Sequence, residues 1–166
     1  MKVRAIITGA TGMVGEGVLH ECLQSPEVEQ VLVINRKSCG MQHPKLKEIL
    51  HADFSDFSAI ENQCSGYNAL FLCMGITSIK ATKEFYTKIT YSYTLALAKT
   101  MVKLNPETVI CYISGKGTKQ DEGVKNMWIR VKGKTERDLQ ALSKKAYMFR
   151  PGYIRPIKGM KNTYTM

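Results

Sequence analysis

The 166-residue chain has no apolar run near the roughly 18–20 residues that a membrane-spanning helix needs. It has no CxxC pair, and its five cysteines (Cys22, Cys39, Cys64, Cys73 and Cys111) are scattered, so no structural metal site is expected. Cys22, Cys73 and Cys111 sit in apolar patterns and read as buried free thiols. That usage implies a reducing, cytoplasmic setting. No leader pattern precedes the first apolar run, so no signal peptide is expected. Internal repeats, low-complexity segments and linkers are lacking too, and the length fits one domain with a sizeable core.

Acidic residues are scarce in the second half. Residues 1–78 carry 6 basic and 8 acidic side chains, whereas residues 79–166 carry 18 and 6. A basic half suits an anionic partner or a solvated lysine-rich face. The basic residues are dispersed and not interleaved with aromatics, which argues against nucleic acid.

What the chain does have begins at once. Val3, Ala5, Ile6 and Ile7 form a short buried-strand run, followed by Thr8-Gly9-Ala10-Thr11-Gly12-Met13-Val14-Gly15 with glycines at spacing three. Val14, Val18, Leu19, Cys22 and Leu23 then recur at helical intervals. Strand, glycine turn and helix are the setting of a dinucleotide fingerprint. Its glycines serve a tight turn, close backbone approach to a pyrophosphate, and close packing of helix on strand. Phosphates would meet the free N–H groups at the helix start. Gly9, Thr11, Gly12, Met13, Val14 and Gly15 are therefore candidate cofactor residues. The spacing departs from the usual G-x-G-x-x-G, and an ordinary glycine-rich turn would read similarly.

Val31 to Ile34 is a second strand, continuous enough to be buried on both faces, and it ends in Asn35-Arg36-Lys37. In such domains an acidic residue near this offset holds a ribose 2′-hydroxyl, while an arginine accommodates a 2′-phosphate. Arg36 and Lys37 stand here with no carboxylate, which favours NADP(H) over NAD(H). A third strand is expected to end at Asp53-Phe54, where Asp53 either faces the adenine or acts as a helix cap. Ser55 to Gly66 reads as a short helix. The fourth strand, Ala69 to Cys73, runs into Met74-Gly75-Ile76-Thr77-Ser78. There Cys73 and Gly75 allow close approach, and Thr77 and Ser78 offer hydroxyls. A long helix spans Glu84 to Leu104 and stops at Asn105-Pro106. Val109 to Ile113 is the fifth strand, Lys125 to Lys145 a basic helix, and Ala146 to Phe149 the sixth strand. The alternation predicts an α/β, doubly wound parallel sheet whose strand-end loops share one edge.

The ordered set TGATGMVG, VINRK, ADF, FLCMGITS, YISGKG, VKGKTE and FRPG resembles the atypical short-chain dehydrogenase/reductases. Within these it is most similar to the Tat-interacting-protein-like oxidoreductases and bacterial epimerase-like proteins. The resemblance covers about Met1 to Gly152 and implies an NAD(P)-binding Rossmann domain over 1–152, with 153–166 as a short tail where relatives build a substrate region. It also implies a Ser or Thr that hydrogen-bonds the substrate oxygen, a Tyr that transfers the proton, and a Lys four residues later that holds the nicotinamide ribose. Four residues on a helix put the last two on one face. Lys132 matches the lysine, and Ser114 lies near the Ser/Thr position, with Lys116 the alternative. Trp128 stands where the tyrosine belongs. An indole N–H donates but does not titrate usefully, so it cannot serve as acid–base. Two functions follow from the resemblance and this departure. One is an NADP(H)-dependent oxidoreductase acting on a small carbonyl or alcohol, with Ser114 and Lys132 catalytic. The other is a non-catalytic NADP(H)-sensing protein coupled to a protein or nucleic-acid partner. A sugar-nucleotide epimerase ranks below both.

Overall fold

Six short apolar runs pair into one parallel sheet in a computed structural model that describes residues 2–77, 81–121, 123–155 and 160. The strands are β1 (Val3–Thr8), β2 (Val28–Asn35), β3 (Leu46–Leu50), β4 (Ala69–Leu72), β5 (Val109–Ile113) and β6 (Ala146–Phe149), in the order β3-β2-β1-β4-β5-β6. β1 lies at the centre, with Ala5 to Thr8 in register with Val31 to Ile34 on one side and Ala69 to Leu72 on the other. The chain order reverses direction across the sheet between β1 and β4. That is where open α/β sheets form their ligand crevice.

Successive side chains on a strand point to opposite faces. Ile6, Leu32, Ile34, Leu70, Leu72, Ile110 and Tyr112 thus face one layer, built from α4 (Tyr93–Leu104) and α5 (Met127–Leu142). Ile7, Val31 and Val33 face the other, where α1 (Met13–Gln24) buries Leu19, Cys22 and Leu23. Two helices complete the set: α2 (Glu61–Cys64) and α3 (Lys83–Thr87), the latter capped by Thr82, whose hydroxyl accepts from the Phe85 amide at 3.2 Å. Between α3 and α4 the chain makes a π-helical turn at Lys88–Ser92, so the long helix expected from periodicity is one rod with an inserted residue.

Three expectations need correction. The third strand ends at Leu50 and not at Asp53. The helix expected over 55–66 is a single 3₁₀ turn, Ser58–Ile60, leading into the four residues of α2. The expected basic helix is shorter at both ends, because the Asn126 side chain caps the Trp128 and Ile129 amides and Ser143 leaves helical geometry. The five cysteines are free, and burial pushes the Cys22 thiol up to about 11 and Cys73 to about 12.

Gly17 lies inside α1 with nothing within 4 Å of where a Cβ would be. Gly17→Ala is expected to stabilise the fold by about 0.5–1 kcal/mol through helix propensity and a less flexible unfolded chain. A thermal melt should show a rise of a few degrees. A fall would mean that this side of α1 is occupied.

Candidate functional site

The turn after β1 is set by contacts only glycine tolerates. Gly9 has φ 74°, and a Cβ there would lie 2.7 Å from the Cys73 carbonyl carbon and the Met74 nitrogen. A Cβ on Gly15 would lie 2.1 Å from the Gly9 carbonyl oxygen. The first glycine therefore brings the turn against the end of β4, and the third brings α1 against the turn. Gly12 heads α1 as its N-cap and, being glycine, has no side chain to cap it. Its own amide donates to the Gly9 carbonyl at 2.9 Å, and its carbonyl accepts from the Glu16 amide at 2.8 Å.

Beside this helix start opens a cleft of about 710 Å³ at the carboxyl ends of β1, β2 and β4. Gly9, Thr11, Gly12, Arg36, Lys37, Phe54, Cys73 and Gly75 line it, together with Asn35, Ser38, Met74, Ile76 and Ile89. A Cβ on Gly75 would meet nothing within 4 Å, so the backbone faces open space here. Among the described residues the lining holds Arg36 and Lys37 but no carboxylate. Glu48, on the neighbouring strand β3, is occupied by the Ser38 hydroxyl at 2.6 Å and the Cys39 amide at 2.8 Å. An open wall of backbone, a helix start headed by glycine and a basic rim fit a dinucleotide's diphosphate and a further phosphate. Ser38, Ile76 and Ile89 carried no sequence signal. Ile89 arrives through the π-helical turn, far from the strand ends in the chain.

The remaining candidates lie elsewhere. Met13 and Val14 contribute their place at the helix start, but they line an apolar groove formed by α1, Phe71 and Ile154. Asp53 lies beyond the end of β3. Its Oδ1 accepts from the Ser55 amide at 2.9 Å and from the Ser55 hydroxyl, which hold the carboxyl below its ordinary range. This is a local turn, not a group aimed into the cleft. Thr77 is exposed, and Ser78 lies outside the described residues.

Ser114 and Lys132 do meet, though not by hydroxyl. Lys132 Nζ donates to the Ser114 backbone carbonyl. Burial draws the ammonium below its ordinary range, with Glu136 acting against that. The Ser114 hydroxyl is turned inward and donates to Glu136 Oε1 at 2.6 Å. Glu136 is fully buried, paired with the Arg150 guanidinium through both carboxylate oxygens, and accepts from Gln120 Nε2 at 3.2 Å. Burial alone would raise its pKa, but hydrogen bonds from Arg150, Ser114 and Gln120 prevail and hold it low. The role expected for Ser114 thus meets a competitor, since its one proton is spent on the nearest charged acceptor. The residue that faces the Lys132 ammonium is Gly115, whose Cβ would lie 3.8 Å from Nζ. Trp128 lies over Gly117, and the Lys116 stem lies on Gly152. Glu136 went unnoticed in the sequence although the signal was present: it sits four residues after Lys132, and FRPG supplies its arginine.

Residues 5–127 match the NAD dependent epimerase/dehydratase family. Among curated proteins the chain is similar to protein FMP52, mitochondrial, of Meyerozyma guilliermondii, at 23% identity over 92% of this chain and 65% of that protein. It is also similar to the Candida glabrata protein of the same name, at 29% over 92% and 64%. Protein HTATIP2 of Rattus norvegicus matches at 24% over 89% and 61%. The chain therefore spans somewhat less than two thirds of these relatives. Among solved structures, a short chain dehydrogenase from Burkholderia cenocepacia in complex with NADP gives a TM-score of 0.75 at 15% identity, over 94% of this chain and 76% of that one. The ADP-L-glycero-D-manno-heptose-6-epimerase of Helicobacter pylori gives 0.65 at 18%, over 89% and 53%. These likenesses show a shared Rossmann fold. The cytoplasmic setting inferred from cysteine usage does not stand, because the FMP52 relatives are mitochondrial by name. Free thiols mark a reducing compartment and do not tell one such compartment from another. The match over 5–127, most of the chain, decides the matter of descent: the protein belongs to the NAD dependent epimerase/dehydratase family.

Proposed function

We propose that residues 1–152 form an NADP(H)-binding domain that takes NADP(H) in preference to NAD(H) and is oxidoreductase-like in its site. The observation that carries this is the cleft, where a helix start headed by glycine faces a β2 rim bearing Arg36 and Lys37 with no carboxylate among the described lining residues. Gly9, Gly12 and Gly75 would lie along the diphosphate. Arg36 and Lys37 would meet the 2′-phosphate, and Phe54 and Ile89 would supply apolar surface. Lys132 would hold the nicotinamide ribose. When bound, the nicotinamide would supply hydride transfer to or from a small carbonyl or alcohol. The NADP carried by the Burkholderia dehydrogenase agrees with this choice of cofactor.

The test is a titration of NADPH, NADP⁺ and NADH followed by nicotinamide fluorescence and Trp128 emission. NADPH is expected to bind more tightly than NADH, and Arg36→Ala to weaken NADPH about tenfold, the low end for a hydrogen bond to a charged group, while leaving NADH nearly unchanged. Equal affinities for the two in the wild-type chain would overturn the NADP(H) preference.

A second reading, cofactor binding coupled to a protein partner without turnover, draws on the site's chemistry. Trp128 replaces the acid–base tyrosine, and the Ser114 hydroxyl is committed to Glu136. Under this reading no carbonyl panel oxidises NADPH, and Trp128→Tyr alone restores no turnover because the hydroxyl partner is still missing. Turnover in the wild-type chain would decide for the oxidoreductase.

A further inference from the structure

Arg130, Lys134 and Arg137 follow one another at spacings of four and three, so they share one side of α5. Arg130 and Lys134 each lie two residues from Lys132, roughly 160° around the helix from it at about 3.6 residues per turn. They belong to the outer face and not to the nucleotide cleft. A loop crosses the helix beside them, pressed close where Gly133 has no side chain: a Cβ there would lie 1.8 Å from the Lys119 carbonyl oxygen. The loop is also tied down by hydrogen bonds. Arg137 donates to the Gln120 carbonyl at 3.0 Å, and Gln120 Nε2 donates to Gln140 at 2.9 Å as well as to Glu136.

Between loop and helix lies a hollow of about 310 Å³ lined by Gln120, Asp121, Arg130, Lys134 and Arg137. Among the described residues three cations and one carboxylate line it, and Asp138 pairs with both Lys134 and Arg137. The lining carboxylate is turned into its own turn, where Asp121 Oδ1 accepts the Gly123 amide at 2.8 Å. Lys134 is half exposed and shares Asp138 with Tyr91. Arg130 is partly buried, and its guanidinium makes no hydrogen bond or ion pair with another described residue. A planar guanidinium with five donors, set in a concavity and with no acceptor among the described residues, matches a phosphate's oxygens.

We propose that this hollow is a second anion site, separate from the dinucleotide cleft, that takes the phosphate group of a small phosphate monoester. The cations converge on one recess and do not form a track along a surface. A single phosphate therefore fits better than a nucleic-acid backbone, whose charges repeat along its length. The proposal is independent of the cofactor reading, since none of its residues lines the cleft.

The experiment is a titration of inorganic phosphate at constant ionic strength, followed by amide NMR shifts, on the wild-type chain and on Arg130→Ala, Arg130→Lys and Arg36→Ala. Phosphate is expected to move the Gln120 and Arg130 amides in a saturable way. Arg130→Ala should weaken it about tenfold, the loss of a hydrogen bond to a charged group. Arg130→Lys should recover part of the affinity, and Arg36→Ala should change nothing at these amides. A three-carbon phosphate monoester should bind at least as well as phosphate. Unchanged affinity in Arg130→Ala would overturn the site, as would shifts that vanish only in Arg36→Ala. Binding of an oligonucleotide alone, weakened equally by Arg130→Ala and Lys99→Ala, would assign the charge to a diffuse basic surface instead. The Arg130 guanidinium has no hydrogen-bond or ion-pair partner among the described residues, so its variants should melt as the wild type does.

Discussion

Arg150→Ala is expected to cost about 3 kcal/mol of stability at neutral pH, within the range for breaking a buried ion pair. Glu136 has no exposed surface, whereas 44% of the Arg150 side chain is exposed. Which partner is removed therefore matters. Without Arg150, a carboxylate remains buried with only Ser114 and Gln120 to satisfy it. Without the Glu136 charge, Arg150 can turn to water, so Glu136→Gln should cost clearly less. At this chain length, 3 kcal/mol corresponds to a fall of roughly 6–12 °C in melting temperature.

The pH dependence gives the same argument a sign. In the wild-type chain the Glu136 pKa is depressed on folding, below its ordinary value of 4.5. Its stabilising contribution is therefore present above that value and lost as pH falls through the folded-state pKa. In Arg150→Ala the largest depressing influence is gone and burial dominates, so the folded-state pKa rises. The contribution of Glu136 is then favourable only in acid and is lost as pH rises. Urea melts from pH 4 to 8 should show the deficit of Arg150→Ala shrinking steadily toward acid, whereas that of Glu136→Gln stays flat at neutral pH and shrinks only at the acid end, where the unfolded carboxyl protonates. Equal, pH-independent losses for the two variants would mean that the pair is no more than packing.

Gly15→Ala is expected to be the other severe change. Its Cβ would stand 2.1 Å from the Gly9 carbonyl oxygen and 2.5 Å from the Gly9 carbonyl carbon, both backbone atoms that cannot rotate away. Either α1 lifts from the sheet or the turn after β1 is displaced. Overpacking in a rigid interior costs roughly 1–3 kcal/mol and occasionally more, and this contact belongs at the upper end. The displaced turn is also the wall of the cleft, so NADPH binding should be lost even where the variant remains folded. Gly17→Ala, two residues along the same helix with open space around it, is the matched control. A Gly15→Ala chain that melts and binds NADPH like the wild type would show that the turn is not what shapes the site.

The layered architecture was legible because it depends on local pattern. Buried parallel strands are continuous apolar runs, and the helices between them repeat at helical spacing, so Val109 to Ile113 appeared in the sequence as it stands, and Val31 to Ile34 as the apolar half of β2 (Val28–Asn35). Loops of one edge also follow from topology, which is why Gly9, Arg36, Cys73 and Gly75 could be gathered into one cleft from sequence. Boundaries were harder where a side chain sets them. Asn126 starts α5 two residues later than the basic run suggests, and β3 ends at Leu50 because Asp53 folds back on Ser55.

From the sequence alone came the strand–turn–helix opening, the parallel α/β class, the absence of an acid after β2, and the lysine of the dehydrogenase pattern with tryptophan in the tyrosine's place. The first three rest on residue type and near-neighbour spacing, and the last on the resemblance to the dehydrogenase/reductases. Only the tertiary structure decided where the Ser114 proton goes. The family resemblance implied a substrate-facing role for that hydroxyl, but Glu136 and Arg150, brought in from α5 and the end of β6, present a charged acceptor 2.6 Å away. Which of two nearby partners a hydroxyl takes is settled by distances between elements remote in sequence, and no local pattern encodes those distances.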